Sequence, residues 1–341
     1  MQTADLTAIL ATLQSQQDLS RLQMRQIIAW FLSGDAPQQS IVDILTALAD
    51  KGESVDELIG AAQALRESML TVHSTRIPVV DTCGTGGDGS QTFNISTAAA
   101  VAIAATGVAV AKHGNRKITS STGSADVLSE LGIDLEASPA VVEACLVDLG
   151  ICFCFAPHFH PAMRHVGPAR RAIAKPTIFN RLGPLANPAG AHCQILGVGA
   201  AHWQRPMALA LQQLGTQRSL VVRGQDGVDE ISLSCETSVL EVTPQSIIEH
   251  RWSPEDFGVS RAPRTALFAD DPISSAACIR SVLAAAAGPC RDVVVINAAA
   301  GLWAAGVDDD LAACAKRVEQ AIDSGAAAKL CEKLAQATNS H

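Results

Sequence analysis

The chain has no tyrosine, and aromatic residues make up only 4% of its 341 residues. Its interior must be filled by Ala, Val, Ile and Leu, a palette that suits a parallel sheet covered by small-residue helices. No stretch of about 20 apolar residues runs without polar interruption, so a membrane-spanning helix is not expected. The N-terminus shows no basic segment followed by an apolar one, so no secretory leader is expected either. Excess positive charge is missing as well. The net charge of −9 argues against a nucleic-acid-binding surface. There are ten cysteines but no Cys-x-x-Cys pair. In a chain of this size they read as reduced, buried thiols in a cytoplasmic setting. Internal repeats and low-complexity linkers are absent.

What is present is 48% hydrophobic, enough for one large core or two smaller ones. The first 70 or so residues read as helices. Met24, Ile27, Ile28 and Phe31 recur at helical spacing before Gly34, and Ile41, Ile44, Leu45 and Leu48 repeat the pattern before Gly52. Ser54 and Glu57 form a capping box that opens a further helix toward Met69. From residue 77 onward short β runs alternate with helical patterns. Strands are expected near 77–80, 108–111, 151–155, 194–198, 220–222 and 293–297. This alternation predicts an α/β fold: a small N-terminal helical domain, residues 1–72, beside a larger domain, residues 73–341, with a mainly parallel sheet. The Pro- and Gly-punctuated segment around 165–188 reads as a crossing back to the helical domain, or equally as an ordinary loop.

Residues 81–89 read DTCGTGGDG, with four glycines and two aspartates in nine positions. They stand between a strand and the helix that starts near Asn94. That layout cradles a phosphate: glycines let the backbone approach the anion, and helix N-terminal amides donate to it. The segment matches neither Gly-x-x-x-x-Gly-Lys-Ser/Thr nor Gly-x-Gly-x-x-Gly. Residues 112–116 (KHGNR) offer two cations and an amide at the end of the next strand, which suits a phosphorylated substrate, or a solvated basic turn. The hydroxyl-rich stretch from Ser120 to Ser124 leads into another helix, as an anion nest or a plain N-cap. Asp229 and Glu230 are adjacent carboxylates on a loop. Beside phosphates they invite Mg²⁺; alone they read as an exposed acidic turn. His158 and His160 lack a matched second pair and sit among prolines, so they read as the wall of an aromatic-substrate pocket rather than a zinc site. Arg170 offers a guanidinium that could hold a carboxylate, or a surface salt bridge.

In order and spacing, the segments 81–89, 94–97, 112–116, 123–126, 167–170 and 177–188 and the pair Asp229 and Glu230 resemble the anthranilate phosphoribosyltransferase family. This is the tryptophan-pathway group of the transferases built like nucleoside phosphorylases. The C-terminal third resembles it only in general character. Thr122 stands where Lys is frequent in the family, and Pro176 where Arg is usual. The resemblance implies a cytoplasmic homodimer that transfers the phosphoribosyl group of phosphoribosyl pyrophosphate to anthranilate. It implies two Mg²⁺ per protomer and no partner nucleic acid or membrane. It places Gly84, Gly87, Asp88 and Thr92 in the diphosphate loop, continued by Asn94, Ile95, Ser96 and Thr97. Lys112, His113, Gly114, Asn115, Arg116 and Ser120 line the phosphoribosyl group, joined by Ser124. Ser96, Asp229 and Glu230 are the implied metal ligands. Gly84, Asn115 and Arg170 meet anthranilate, Arg170 through the carboxylate. No acid, base or covalent nucleophile is implied. A pyrimidine nucleoside phosphorylase on the same architecture is the alternative enzyme, although one phosphate needs no metal pair. A non-catalytic relative that binds nucleic acid is the alternative from another class, and it should show a basic face.

Overall fold

The computed structural model describes residues 3–116 and 123–340. Four helices come first: α1 (Thr3–Gln14), α2 (Arg21–Ser33), α3 (Gln38–Lys51) and α4 (Val55–Ser68). Local signals set their ends. Ser20 with Gln23 and Ser54 with Glu57 each form a reciprocal capping box, and Gly34 stops α2 in the left-handed conformation at φ 87°. The apolar stripes of α2 and α3 are fully buried. Glu57 does more than cap its helix. Its carboxylate also accepts from the Leu19 amide at 2.9 Å and pairs with Lys51 at 2.9 Å, so one buried acid ties α4 to α3 and to the start of α2.

The larger unit is built on a seven-stranded sheet: β1 (Val79–Asp81), β2 (Ala109–Gly114), β3 (Ile151–Phe155), β4 (Cys193–Gly197), β5 (Arg218–Gly224), β6 (Thr237–Val242) and β7 (Ile247–Trp252). The order across the sheet is β3-β2-β1-β4-β5-β6-β7. The first five strands in this order run parallel, and β5-β6-β7 form an antiparallel edge. The helices of this unit are α5 (Ile95–Ala105), α6 (Ser124–Glu130), α7 (Pro139–Leu149), the single turn α8 (Ala156–Phe159), α9 (Gly167–Ile173), the single turn α10 (Phe179–Leu182), α11 (Gln204–Gln213), α12 (Pro272–Leu283), α13 (Pro289–Ala304), α14 (Leu311–Asp323) and α15 (Ala326–Asn339).

Residues 293–297, expected as a strand, lie inside α13. The run Val293 to Ile296 is β-branched, yet the helix is apolar on every side because it is buried between α5, β4 and α14. A short apolar run carries no period that separates a buried strand from a buried helix, and here packing overrides propensity. The hairpin β6–β7 had no counterpart in the sequence reading. The other expected strands appear within two residues of their expected bounds, save that β2 extends further, to Gly114.

The sheet buries both faces. Along β4 and β5, Ile195, Leu220 and Val222 enter one core with α5 and the C-terminal helices. Leu196 and Val221 point to the opposite face, the two-residue period of a pleated strand. That second face is continuous with the core of α1 to α4, joined through α11 and the segment 166–186, whose Val166, Ile178, Leu182 and Leu185 lie in the helical core. Arg66 on α4 fastens this segment by donating to the Leu185 carbonyl at 2.7 Å. Between β1 and β4 the strand order reverses, so the loops after β1, β2 and β4 diverge and leave a crevice at the strand ends.

Helices α2 and α4 cross at Gly60. A Cβ placed there would fall on the Arg21 carbonyl oxygen and lie 3.0 Å from the Arg25 nitrogen. Gly60→Ala should therefore destabilise the chain by about 1–3 kcal/mol, since neither backbone can retreat without disturbing a packed helix pair. A lower urea midpoint checks this; an unchanged midpoint would mean the crossing is looser than described.

Candidate active site

The crevice at the switch point opens into a cavity of about 1260 Å³, more than one small ligand requires. Its first wall is the loop after β1. Gly86, Gly87 and Gly89 have positive φ, between 64° and 79°, so the loop turns as few other residues could. It is seated on the end of β4 through the Thr85 amide, which donates to the Gly197 carbonyl at 2.8 Å. Gly197 has no room for a side chain, because a Cβ would overlap the Asp229 carbonyl.

Asp229 and Glu230 follow β5 and stand directly across from this loop. Asp229 accepts from the Gly86 amide at 3.0 Å, and its own amide donates to Asp88 at 3.3 Å. Glu230 accepts from the Ser96 amide at 3.1 Å, in the first turn of α5, and from the Ser96 hydroxyl. Three carboxylates thus meet at a helix N-terminus and a glycine loop. The environment of Asp229 and Glu230 resists ionisation. Burial, helped by Asp88, raises Asp229 well above the usual carboxylate range. Burial also lifts Glu230 to about 7, although Lys112 and the Ser96 bonds pull it down. The alternative of an exposed acidic turn is thereby set aside.

The donor set tests the implied magnesium. It consists of hard oxygens, two carboxylates and the Ser96 hydroxyl, held where negative charge lacks compensation. Among the described residues there is no cluster of three or more His, Cys, Asp or Glu side chains able to hold a metal. Mg²⁺ usually takes one or two carboxylates and completes its shell with phosphate oxygens and water, so the pair fits that ion shared with a phosphorylated ligand.

Lys112, 4% exposed, leaves β2 and points inward rather than to solvent. Its ammonium donates to the Thr82 carbonyl at 3.0 Å and to the Ser96 hydroxyl at 3.2 Å. Below it, Asp81 is buried and raised to about 6, chiefly by desolvation. His113 contacts the Gly183 carbonyl through Nδ1 at 2.9 Å, and its Nε2 lies 3.2 Å from Nε2 of His160. Burial holds both imidazoles neutral, at about 4 and about 3. Asn115, Arg116 and Ser124 also reach the cavity. There Arg116 pairs with Asp126 at 3.2 Å, and Ser124 donates to the Asn115 carbonyl at 3.4 Å.

Arg170 closes the far end. Its guanidinium lies 5.5 Å from the centre of the Phe179 ring, and burial lowers its pKa. It pairs with no carboxylate among the described residues, unlike a surface salt bridge. Pro157, His160 and Met163 line the same cavity. Gly84 faces the Gly197 backbone and Asp229.

Among the expected site residues, Thr97 is buried behind the wall, its hydroxyl without a partner. Ser120 and Thr122 lie outside the described residues. Two residues were missed by sequence reasoning. Ser275 on α12 accepts from the Asn94 amide at 2.9 Å and donates to its side chain at 3.0 Å. Asn297 on α13 bonds to Ile231, next to Glu230. A lone polar residue in a run read as a strand was the only signal for Asn297.

The shift on Glu230 gives a signed expectation. Its folded-state pKa of about 7 exceeds the ordinary 4.5. The folded chain therefore holds this proton more tightly, and the stability so gained is present below pH 4.5 and lost as pH rises through 7. Glu230→Gln should show a smaller fall in urea midpoint between pH 5 and pH 8 than the parent, both measured with chelator. Parallel pH profiles would remove the shift as an explanation.

The chain matches two family models: "Glycosyl transferase family, helical bundle domain" over residues 7–69 and "Glycosyl transferase family, a/b domain" over residues 76–328. It is 49% identical to an anthranilate phosphoribosyltransferase of Rhodopirellula baltica, over 94% of this chain and 93% of the relative. It is 46% identical to that of Symbiobacterium thermophilum, over 98% of each. The fold superposes on the Thermus thermophilus enzyme with a TM-score of 0.91 at 40% identity, over 97% of this chain and 99% of the other. It superposes equally well, at 26% identity over 100% and 99%, on the Saccharomyces cerevisiae enzyme in complex with PRPP and Mg. The C-terminal third, which resembled the family only in general character, is included in these alignments. With identity at this level over nearly the whole length of both chains, the chain belongs to the anthranilate phosphoribosyltransferase family.

Proposed function

We propose that the protein transfers the phosphoribosyl group of phosphoribosyl pyrophosphate to the amine of anthranilate, giving N-(5-phosphoribosyl)anthranilate and pyrophosphate, a step of tryptophan biosynthesis. The observation that carries this reading is one cavity with two unlike ends. One end has backbone amides holding an acidic pair, and the other has a guanidinium that lies on an aromatic ring and pairs with no carboxylate among the described residues. The first suits a metal-bound diphosphate and the second a planar aromatic acid. A Saccharomyces cerevisiae relative at 25% identity has been solved in complex with 4-fluoroanthranilate, in keeping with such an end.

In the reaction the C1–O bond to pyrophosphate breaks, that oxygen keeping the electron pair. The anthranilate nitrogen forms the new bond to C1 and gives up a proton. This amine is a poor nucleophile, so stabilising the leaving group matters most. Asp229, Glu230 and Ser96 would hold Mg²⁺, which when bound neutralises charge on the leaving pyrophosphate. Amides of the glycine loop would donate to the same group. Arg170 orients the substrate carboxylate so that the ortho amine faces C1. His113 and His160 are neutral and hydrogen-bonded at the border between the two ends, shaping it without adding charge.

Several finer points belong to the same reading. Two Mg²⁺ bind per protomer. The division near residue 72, with a hinge in the segment 165–188, lets the two ends of the cavity close on each other. The protein works in the cytoplasm as a homodimer through its N-terminal helices, where Leu22 of α2 is 59% exposed. Sedimentation at micromolar concentration should give twice the chain mass; a monomer would remove the dimer.

The test of the function is turnover with anthranilate, phosphoribosyl pyrophosphate and Mg²⁺, each omitted in turn. Activity should require all three. Activity with a pyrimidine nucleoside and phosphate instead would favour the phosphorylase.

Arg170→Ala should cost roughly 1.5–3 kcal/mol in kcat/KM for anthranilate, with the KM for phosphoribosyl pyrophosphate nearly unchanged. Arg171, exposed on the same helix, is the control. Equal losses for both substrates would place Arg170 in the phosphate site.

A further inference from the structure

We propose that Asn297 is a positioning residue for the metal-binding pair: from α13, outside every motif of the diphosphate site, it fixes the loop that aims Glu230 and Asp229 into the cavity. This inference rests on the reading of Asp229 and Glu230 as metal ligands.

The geometry is specific. Asn297 is 1% exposed and uses every hydrogen-bonding group of its amide. Its Oδ1 accepts from the Ile231 amide at 2.9 Å, and its Nδ2 donates to the Ile231 carbonyl at 3.0 Å. The second Nδ2 hydrogen goes to the Val293 carbonyl at 2.9 Å, one turn back on the same helix. Only one orientation of the amide satisfies both groups of Ile231, because one is a donor and the other an acceptor. The side chain is tied to its own helix and cannot rotate away. It grips Ile231 as a neighbouring strand would, on both sides of one residue.

The grip falls where it is needed. Glu230 precedes Ile231 directly, and Asp229, Glu230 and Asp88 repel one another when ionised. An irregular loop would relieve that repulsion by swinging its carboxylates apart. Burial of the Ile231 side chain sets the depth of the loop but leaves the rotation of its backbone free. The two bonds from Asn297 remove that rotation and so set where Glu230 points. At its other end Glu230 is held by the Ser96 amide, so backbone and carboxylate are fixed by different helices. Groups that orient metal ligands without touching the metal typically change affinity 10- to 100-fold when removed.

The experiment is a titration with Mn²⁺ alone, followed by the paramagnetic signal of the free ion, on the parent, Asn297→Ala, Asn297→Asp and the double variant Asp229→Asn with Glu230→Gln. Asn297→Asp keeps the side-chain volume and the acceptor for Ile231 but loses both donor bonds. Both Asn297 variants should bind Mn²⁺ at least about 10-fold more weakly. The Mg²⁺ concentration for half-maximal turnover should rise by the same factor. High Mg²⁺ should restore the rate to within about twofold of the parent, and the KM for anthranilate should stay unchanged. A purely structural role would not be rescued by metal. Parent-like Mn²⁺ affinity in either folded variant, or a lost rate that Mg²⁺ does not restore, overturns the proposal. Unchanged Mn²⁺ binding in the double carboxylate variant overturns instead the metal reading beneath it. Should neither Asn297 variant fold, amide exchange in the unmodified protein decides. Ile231 must exchange as slowly as the buried middle of α13, and fast exchange there refutes the grip.

Discussion

Mutual repulsion among Asp88, Asp229 and Glu230 is the constraint around which the rest of this structure is arranged. Asp229 and Glu230, desolvated in a shielded crevice beside Asp88, resist ionising without positive charge nearby, and burial first and that neighbour second raise the pKa of both. The chain answers with oriented dipoles and one buried cation. The Gly86 and Ser96 amides point at the carboxylates, and Lys112 lies behind them on the Ser96 hydroxyl. The compensation is incomplete, which is what makes the place suited to a divalent ion that arrives with a phosphate. A fully neutralised site would have nothing left to offer the metal.

The same constraint explains the backbone. Glycines at 84, 197 and 199 lie where the β1 loop, the β4 end and the acidic loop approach within van der Waals contact. A side chain at Gly197 would displace Asp229, and one at Gly84 or Gly199 would crowd the same packing. The reversal of strand order between β1 and β4 creates the gap those three segments share. Topology supplies the place, glycine the closeness, and α12 and α13 reach in from behind to hold Asn94 and Ile231.

Much of this was legible in the sequence because the signals were local. The capping box at Ser54, the Gly34 stop and the glycine loop are each written within a few residues, and each appears where expected. The expected site residues reach one cavity, save Thr97, whose side chain turns into the core, and Ser120, outside the described residues. The misreadings share a cause. Residues 293–296 are β-branched and apolar, and only the elements packed around them make them helical. Asn297 offered only its polarity in an apolar run, because its meaning lies in a partner 66 positions away. The inward direction of Lys112 was hidden for the same reason: a strand-end lysine reads as a surface cation until the hydroxyls waiting for it are seen.

The far end of the cavity depends on the helical domain in a way the near end does not. Arg170 lies over Phe179, and Phe179 opens a turn whose Arg181 rests 3.9 Å from the centre of the Trp203 ring and pairs with Glu53 at 3.3 Å. Glu53 belongs to the α3–α4 connection and Trp203 to the start of α11, so Arg181 touches both units from the segment between them. Desolvation raises the pKa of Glu53 and lowers that of Arg181, the signature of a pair shielded from water, and each charge needs the other. The Arg170 guanidinium, to which the proposed function gives the aromatic acid, is therefore mounted on the helical unit, whereas the glycine loop is mounted on the sheet. Any change in the angle between the units alters the distance between the two substrates before it alters either binding end. A reaction limited by bringing a weak amine into line with C1 is the kind that such a division can control.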